Sequence, residues 1–452
     1  MANVIKVRKG LDINLKGIAS KKTVEIKEPA AYALVPDDFC GVTPKVVVKD
    51  GDYVRVGWPL FIDKNHPEVK FVSPVSGMVT HVERGERRKL LSISVVPEAE
   101  QDYEQFGKKS LSDLNADQVK EALLEAGLFA FFRQRPYDIV ANPEVQPKAI
   151  FVSAFDSAPL APDFEYVLEG QEMDFQTGLD ALAKLAPTYL GISSKQTNPA
   201  LSLAKNVILT VFEGPHPAGN VGVHINKLNP INKGENVWTL GAEEVLFIGR
   251  FFNKGIVDLT RTISLVGSEV SDPCYYKVKV GALLSALTDG RVKQNETLRI
   301  ISGNVLTGKR VTPAGYLGAH DTMVTVIPEG NDVSELAGWI MPRLNQFSVN
   351  HSYFSWIIDA FKKRQYTFDA RIKGGERHMI MSGEYDKVFP MNIFPEYLLK
   401  AIIAMDIDRM EELGIYEVVP EDFALCEFVD SSKVELQYIV RQGLDLLRNE
   451  ME

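Results

Sequence analysis

Residues 57–82 read GWPLFIDKNHPEVKFVSPVSGMVTHV and decide the fold of the first part of the chain. Runs of β-branched and aromatic residues at 59–62 and 69–72 predict two short strands, and the turn-forming residues between them predict a hairpin. Lys64 lies at the tip of that hairpin. The stretch therefore predicts a small β module, and it raises the question whether Lys64 carries a covalently attached cofactor.

This pattern resembles the biotinyl/lipoyl barrel-sandwich module, in which the modified lysine occupies the hairpin tip. Three features argue against modification here. The connection from Lys64 to Ser73 is longer than lipoyl carriers usually show, and Pro67 removes a backbone donor where the return strand should begin. A swinging arm also needs a flexible tether, whereas residues 110–132 predict a helix capped by Asp113 or Asn115. The sequence favours an unmodified loop lysine.

Length and composition describe a folded multidomain protein. The chain has 452 residues, of which 45% are hydrophobic and 24% are charged, whereas a single core rarely grows past about 250–300 residues. The formal net charge of −10 argues against nucleic-acid binding and against an anionic membrane surface. The sequence has no apolar run of about 18 residues and no secretory segment, which predicts a cytoplasmic location without a transmembrane helix.

Changes of pattern divide the chain into four units. Residues 1–100 predict the barrel-sandwich module, and residues 101–257 alternate helices with strands, which predicts a Rossmann-like α/β domain. Residues 258–330 predict a second β-rich unit, and residues 331–452 predict a helical C-terminal domain with amphipathic segments at 395–414 and 434–452. The predicted fold class is thus a multidomain combination of α+β and α/β units.

A glycine-rich loop is one candidate binding site. Residues 212–230, FEGPHPAGNVGVHINKLNP, place His216, Gly219, Gly222 and His224 directly after a predicted strand. Backbone amides in such a loop can approach an anion or a flat ring. The alternative is an ordered loop that supports neighbouring domains. No metal site is predicted, because His216 and His224 alone do not supply a set of metal ligands.

The segment GLFAFFRQRPYD is a second candidate. It places Phe131 and Phe132 beside Arg133, and aromatic rings next to a cation can hold a quinone head group. The alternative, a helix end that buries its aromatic side chains and exposes its arginines, fits the pattern equally well.

The order of these modules resembles the A-subunit family of sodium-translocating NADH:quinone oxidoreductases, related to the C subunit of Rnf complexes and to the NADH- and FMN-binding subunit of complex I. Four motifs carry the resemblance along nearly the whole chain: LFIDKNHPEVKFVSPVSGMV (60–79), FEGPHPAGNVGVHI (212–225), GERHMIMSGEYDKVFPMNIFPEYLLKAI (375–402) and EDFALCEFV (421–429). Residues 261–287 in addition resemble the soluble-ligand-binding β-grasp (SLBB) fold.

Two departures from the related families bear on cofactors. The complex I relative has a glycine-rich FMN loop near the first helix of its α/β domain, where this chain has Gly127 alone, so a flavin phosphate has no cradle. The Rnf relative carries two four-cysteine motifs in its helical tail, where this chain has the single thiol of Cys426. The resemblance therefore implies a chain without its own FMN, iron–sulfur centre or catalytic residues.

The resemblance implies a peripheral subunit on the cytoplasmic face of the bacterial inner membrane, in a complex that transfers electrons from NADH to ubiquinone and exports Na⁺. Its partners would be the other subunits, including integral membrane flavoproteins, and quinone is a candidate ligand of the residues named above. Two alternatives stay open: a lipoyl- or biotin-type carrier subunit of a soluble multienzyme complex, with Lys64 as the attachment site, and a soluble flavin-dependent NADH dehydrogenase.

Overall fold

The computed structural model describes residues 3–293, 297–331 and 343–451. In chain order the strands are β1 (Asn3–Lys6), β2 (Thr23–Val24), β3 (Tyr32–Leu34), β4 (Pro44–Val46), β5 (Tyr53–Val54), β6 (Pro59–Asp63), β7 (Lys70–Val72), β8 (Gly77–Arg84), β9 (Leu90–Pro97), β10 (Arg133–Arg135), β11 (Ile139–Val140), β12 (Ala149–Ser153), β13 (Thr188–Ser193), β14 (Ile208–Glu213), β15 (Val237–Gly241), β16 (Thr260–Val266), β17 (Cys274–Lys279), β18 (Leu298–Ser302), β19 (Lys309–Val311) and β20 (Met323–Pro328).

The α-helices are α1 (Ala116–Glu125), α2 (Phe164–Leu168), α3 (Glu172–Leu185), α4 (Pro199–Ser202), α5 (Val221–Leu228), α6 (Ala242–Lys254), α7 (Ser285–Thr288), α8 (Ser355–Asp359), α9 (Tyr385–Val388), α10 (Pro395–Ile403), α11 (Ile407–Glu412), α12 (Ala424–Val429) and α13 (Leu436–Met451). Within the described residues, no helix has the length and apolarity needed to cross a membrane.

A seven-stranded sheet forms the centre of the molecule, in the order β1-β14-β13-β12-β15-β10-β11. The first five strands are parallel, and β10 and β11 extend the sheet in antiparallel fashion. Along β12, Ile150 and Val152 belong to one hydrophobic core while Ala149 and Phe151 belong to another. The strand is apolar throughout because both faces of the sheet are covered, as parallel strands require.

The first core joins the sheet to both β-rich units. The barrel consists of the sheets β3-β9-β8-β5 and β4-β6-β7, and the second β-rich unit is the sheet β19-β18-β20-β16-β17-β2. In the barrel, the rings of Phe61 and Phe71 stack with centroids 4.4 Å apart. They share one core with Leu179 of α3 and Leu265 of β16. The barrel is therefore packed onto the rest of the chain and is not a tethered arm.

Gly127 shows how closely the barrel approaches the α/β unit. It follows α1 with φ of 70°, and a Cβ at this position would lie 2.4 Å from Cγ1 of Val72 in β7. Glycine is needed here both for the left-handed backbone and for the close contact. The helix α1 begins after Asn115, one of the two predicted caps, whose side chain accepts the backbone N–H of Gln118.

The start of the chain crosses between the units. β1 pairs with β14 in the central sheet, with Asn3 opposite Thr210, and β2 pairs with β17 of the second β-rich unit. Residues 1–100, assigned to one barrel-sandwich module from the sequence, thus contribute strands to the two other units as well. These short strands pair with strands far along the chain, so the local sequence does not predict which sheet they join.

The C-terminal region covers the second face of the central sheet. Leu398 of α10 and Val440 and Leu444 of α13 share a core with Phe151 of β12 and Val223 of α5. The amphipathic face predicted for this region is therefore the face that packs on the sheet.

Helical structure in the C-terminal region is concentrated after residue 384. Residues 343–384, which are all described, contain the short helix α8, and α9 to α13 follow from Tyr385. The segment predicted as one amphipathic helix at 395–414 is divided into α10 and α11. The division occurs because the Asp406 side chain accepts the backbone N–H of Arg409 and so caps a new helix.

Candidate functional site

A cavity of about 250 Å³ lies at the carboxyl ends of β12 and β15. These neighbouring strands mark the point where the strand order reverses, since β13 and β14 lie on one side of β12 and β15 lies on the other. In open α/β sheets this switch point leaves a crevice where ligands bind. The volume lies below the ~300–1,000 Å³ typical of sites for drug-sized ligands, so the cavity suits one ring-sized group.

Aromatic side chains form part of the cavity wall. Phe131 is 5% exposed and packs edge-on against Phe247 and His320, with ring centroids 5.5 and 5.7 Å away. Phe155, which follows β12, and Phe164 of α2 also line the cavity. Rings in stacked and edge-on arrangements favour a flat, largely apolar occupant.

Two neighbouring carboxyl groups line the cavity from the first turn of α6. Arg261 donates to Glu244, with Nη2 2.8 Å from Oε1, and the backbone N–H of Thr262 donates to Glu243 at 3.2 Å. Burial raises the pKa of Glu243 to about 7. Burial acts in the same direction on Glu244, but Arg261 and His320 together lower its pKa to about 2. Glu244 is thus a fixed anion, whereas Glu243 can hold a proton near neutral pH.

A third carboxyl group reaches the cavity from the C-terminal region. Burial and the neighbouring charge of Asp422 raise the pKa of Glu421 to about 7. Asp422 itself forms an ion pair with Arg135 at 3.2 Å, and their side chains are 1% and 2% exposed. Gly222 lies against this pair, since a Cβ there would come within 2.3 Å of Asp422 Oδ1. The pair holds the C-terminal region on the sheet and, with it, Glu421 at the cavity.

Three of the seven residues suggested for quinone from the sequence line this cavity, namely Phe131, Arg133 and Gly219. Phe132 points instead into the core, where its ring lies 5.5 Å from that of Trp238. Gly222 faces the buried ion pair. Of the two consecutive phenylalanines, Phe131 therefore lines the cavity and Phe132 packs in the core. Their shared sequence context does not distinguish these two positions.

The two candidate histidines are buried outside the cavity lining. The His224 ring stacks on Phe212 with centroids 3.8 Å apart, its Nε2 lies 2.9 Å from the carbonyl oxygen of Ala218, and burial lowers its pKa to about 4. His216 Nδ1 lies 3.1 Å from Ser157 Oγ, and burial lowers the His216 pKa as well. Both rings thus have contacts typical of structural histidines.

The glycine-rich loop uses its backbone N–H groups within the protein. Four donors in the loop have these acceptors: His216 to Asp12, Ala218 to Pro215, Gly219 to Ser157 and Asn220 to Pro217. These amides are therefore already paired and do not form a cradle for an anion.

Among the polar residues that line the cavity, the sequence reasoning missed Glu243, Glu244, His320 and Glu421. Glu243 and Glu244 carried a usable signal, because they follow an apolar strand at the start of a helix, where the carboxyl edge of a parallel sheet lies. His320 and Glu421 come from other units and had no such local signal.

Lys64 lies at an ordered hairpin tip between β6 and β7. Its backbone N–H donates to the Thr43 carbonyl oxygen at 2.8 Å. Oδ1 of the buried Asp63 accepts the N–H groups of Thr43 and Asn65, each at 3.1 Å. The Lys64 side chain is exposed, in a barrel whose other side is packed into the common core.

Near this tip, the described residues offer one group with donor atoms spaced for a metal ion: His66, Glu68 and Glu144, whose atoms lie within 4.8 Å of one another. Both glutamates are exposed, and His66 Nδ1 lies 3.8 Å from Glu68 Oε1, within ion-pair distance. The group has the features of solvated surface charge.

Comparisons with known proteins agree with this architecture. Residues 5–98 match the family model of the NqrA N-terminal barrel-sandwich hybrid domain, residues 114–257 match that of the NqrA second alpha/beta domain, and residues 262–313 match that of the NQRA C-terminal domain, of SLBB type. The chain is thus a protein of mixed α/β structure with a barrel-sandwich domain and an SLBB domain.

Relatives similar along the full length give the particular family. The A-subunit of the Na(+)-translocating NADH-quinone reductase of Yersinia pestis bv. Antiqua is 36% identical over 454 residues, covering 99% of this chain and 100% of the relative. The corresponding proteins of Pasteurella multocida (35% over 452 residues) and Haemophilus influenzae (36% over 453 residues) have the same coverage. The chain belongs to the A-subunit family of Na⁺-translocating NADH-quinone reductases, which confirms the resemblance.

Solved structures are less similar. An NAD⁺-reducing nickel–iron hydrogenase in its air-oxidized state is 14% identical and covers 52% of this chain and 53% of its own, with a TM-score of 0.35. This likeness does not bear on the fold or the function.

The ion pair and Gly222 should be energetically coupled. We expect Asp422→Ala to lower the free energy of unfolding by about 3–5 kcal/mol, because Arg135 would remain buried without its partner. Gly222→Ala should cost about 1–3 kcal/mol through overpacking, although alanine is normally the better helix former. In urea unfolding, the double variant should lose less unfolding free energy than the sum of the losses in the two single variants. The reason is that removing the carboxylate makes room for the new methyl group. Strictly additive costs would contradict this coupling.

Glu243 should make stability depend on pH. Its pKa is raised from 4.5 to about 7 in the folded chain. Between about pH 5 and pH 7.5 the folded chain therefore retains a proton that the unfolded chain has lost, and the free energy of unfolding should fall as pH rises. Glu243→Gln should reduce this decrease in the free energy of unfolding, as measured by urea unfolding at both pH values. The control Glu68→Gln, which changes an exposed carboxyl group, should not. Equal pH dependence of wild type and Glu243→Gln would contradict a raised pKa for Glu243 in the folded chain.

Proposed function

We propose that this chain is a peripheral subunit, on the cytoplasmic face of the bacterial inner membrane, of a complex that couples electron transfer from NADH to quinone with Na⁺ export. Family membership supports this role, since relatives that match over the full length carry the name of that reductase. The partners are the other subunits of the complex, including integral membrane flavoproteins.

The chain itself works without a bound FMN or iron–sulfur centre. Support comes from Gly127, which is alone where related proteins have a glycine-rich flavin loop. Cys426 is fully buried, and burial raises the pKa of its thiol well above the ordinary value, which disfavours the thiolate that ligates iron. The flavin and iron centres then lie on partner subunits, and this chain contributes assembly surface and a ligand site.

The ligand of the switch-point cavity is the head group of a quinone. The observation that carries this proposal is the combination of an aromatic wall with two carboxyl groups, Glu243 and Glu421, that hold protons near neutral pH. Reduction of a quinone consumes two electrons and two protons. The NADH-oxidising part of the complex supplies the electrons, and each carboxyl group donates one proton to one carbonyl oxygen. Glu421 is partly exposed, which gives solvent a route for returning protons.

Deletion of the chain tests its place in the complex. We expect membranes without it to lose Na⁺-stimulated NADH:quinone turnover, and the tagged chain purified from native membranes in mild detergent to recover the other reductase subunits. Reintroducing the chain as the Lys64→Ala variant should restore turnover, because Lys64 carries no cofactor. Unchanged turnover in a complex that lacks the chain would refute the proposal.

The two alternatives have direct tests on this chain purified free of the other subunits. A carrier with a modified Lys64 would show a discrete mass increment in intact-mass spectrometry, and a flavin-dependent dehydrogenase would be yellow. The packing of the barrel into the common core disfavours the carrier, because a swinging arm must move between active sites.

Quinone affinity should depend on the aromatic wall. Phe155 is partly buried and lines the cavity, so we expect Phe155→Ala to weaken quinone binding to the intact complex about 5- to 10-fold by removing a ring contact. Trp58→Ala, which removes an aromatic ring that is 42% exposed on the barrel, is the control and should leave affinity unchanged. Equal quinone dissociation constants for Phe155→Ala and wild type would show that the quinone does not contact the Phe155 ring of this cavity.

A further inference from the structure

Large apolar side chains gather on the outside of the molecule around α8. Phe354, Trp356, Ile357, Ile358 and Phe361, which we call the α8 surface, are each at least 36% exposed, and Phe361 is 89% exposed. Single exposed apolar residues are ordinary, but five of them within residues 354–361 form a group of the kind that marks an interaction site.

The opposite side of the helix is anchored by polar contacts. Asp359 at the helix end accepts from Arg364 Nε at 3.0 Å and from the Tyr366 hydroxyl at 2.5 Å. Arg364 also donates to the Ser355 carbonyl oxygen at 3.3 Å. Tyr366 is 3% exposed, and its backbone N–H donates to the carbonyl oxygen of Asn14 at 2.8 Å. The polar contacts hold the helix in one orientation, which keeps the apolar side chains directed outward.

Charge and composition describe what fits this surface. The exposed Lys362 and Lys363 lie at its edge, in a chain whose net charge is −10. A local basic rim favours a partner with carboxylates around an apolar centre. The overall negative charge opposes binding to an anionic bilayer. Trp356 and Phe361 are residues of the kind that dominate the binding energy of protein interfaces.

We propose that the α8 surface is the docking site for another subunit of the reductase, which inserts an apolar segment flanked by acidic residues. The proposal rests on the proposed function and identifies the surface through which that assembly occurs. No residue of the α8 surface lines the cavity, so docking and quinone binding can be separated by mutation.

Photo-cross-linking in native membranes tests the contact directly. With Phe361→p-benzoylphenylalanine in the tagged full chain, we expect illumination to give a cross-link to one reductase subunit, identified by mass spectrometry. Met173, 82% exposed on α3, is the control position and should give no cross-link to that subunit. Cross-links from position 361 only to lipid, or to no reductase subunit while the complex is intact, would overturn the proposal.

Charge substitutions give a second readout. Phe361→Glu should reduce the recovery of the other subunits with the tagged chain at least tenfold, and Met173→Glu should leave it unchanged. The combined Lys362→Glu and Lys363→Glu variant should also reduce recovery, most strongly at low salt, where charge contacts are least screened. Unchanged melting temperatures of the purified variants would show that the fold is intact.

The outcomes separate this proposal from the one it rests on. Wild-type chain that recovers no reductase subunits would refute both proposals. Full recovery by wild type and by Phe361→Glu would refute the docking surface alone. Flotation of the wild-type chain with anionic vesicles, lost in Phe361→Glu while the subunits still co-purify, would assign the surface to lipid and overturn the proposal.

Discussion

The buried ion pair between Arg135 and Asp422 is the constraint on which the site depends. Both charges are removed from water, and the cost of leaving either one alone exceeds what an ordinary packing contact supplies. Asp422 also accepts the backbone N–H of Val419, so the turn that carries it is held in place. Arg135 therefore requires the C-terminal region to lie on the sheet, and Gly222 provides the space for it to do so.

The cavity is the consequence of this arrangement. The loops after β12 and β15 open a crevice, as the strand order requires, but the chemistry of its walls comes from three units. Phe131 and Glu243 belong to the α/β unit, His320 lies between β19 and β20 of the second β-rich unit, and Glu421 belongs to the C-terminal region. Since the same hydrophobic core also contains the barrel, the site is held by the whole chain and not by one domain.

Local sequence signals predicted much of the fold. The strands at 59–62 and 69–72 correspond to β6 and β7, and α1 begins at the predicted cap Asn115, because hairpins and helix caps are encoded by residues close in sequence. The capping signal of Asp406 is equally local, and it divides a segment that the amphipathic pattern alone predicts as one helix. The family was recognisable from motifs that span several elements.

Contacts between residues far apart in sequence could not be predicted from local sequence signals. Arg135 and Asp422 are far apart in sequence, and no motif near either residue predicts that the two form an ion pair. Phe131 and Phe132 look alike in sequence, yet only the fold decides which one faces the cavity. Glu421 acquires its raised pKa from burial and from charges brought together by tertiary contacts. These properties belong to the packed structure, which is why the candidate site was predicted only in part.

The most direct measurement is photoaffinity labelling of the intact complex with a quinone whose photoreactive group is on the ring, followed by peptide mapping. We expect label in residues 153–167 or 239–244 of this chain, protected by unlabelled quinone and weakened by Phe155→Ala. Saturable labelling confined to other subunits, with this chain unlabelled in an active complex, would contradict a quinone site at the switch-point cavity.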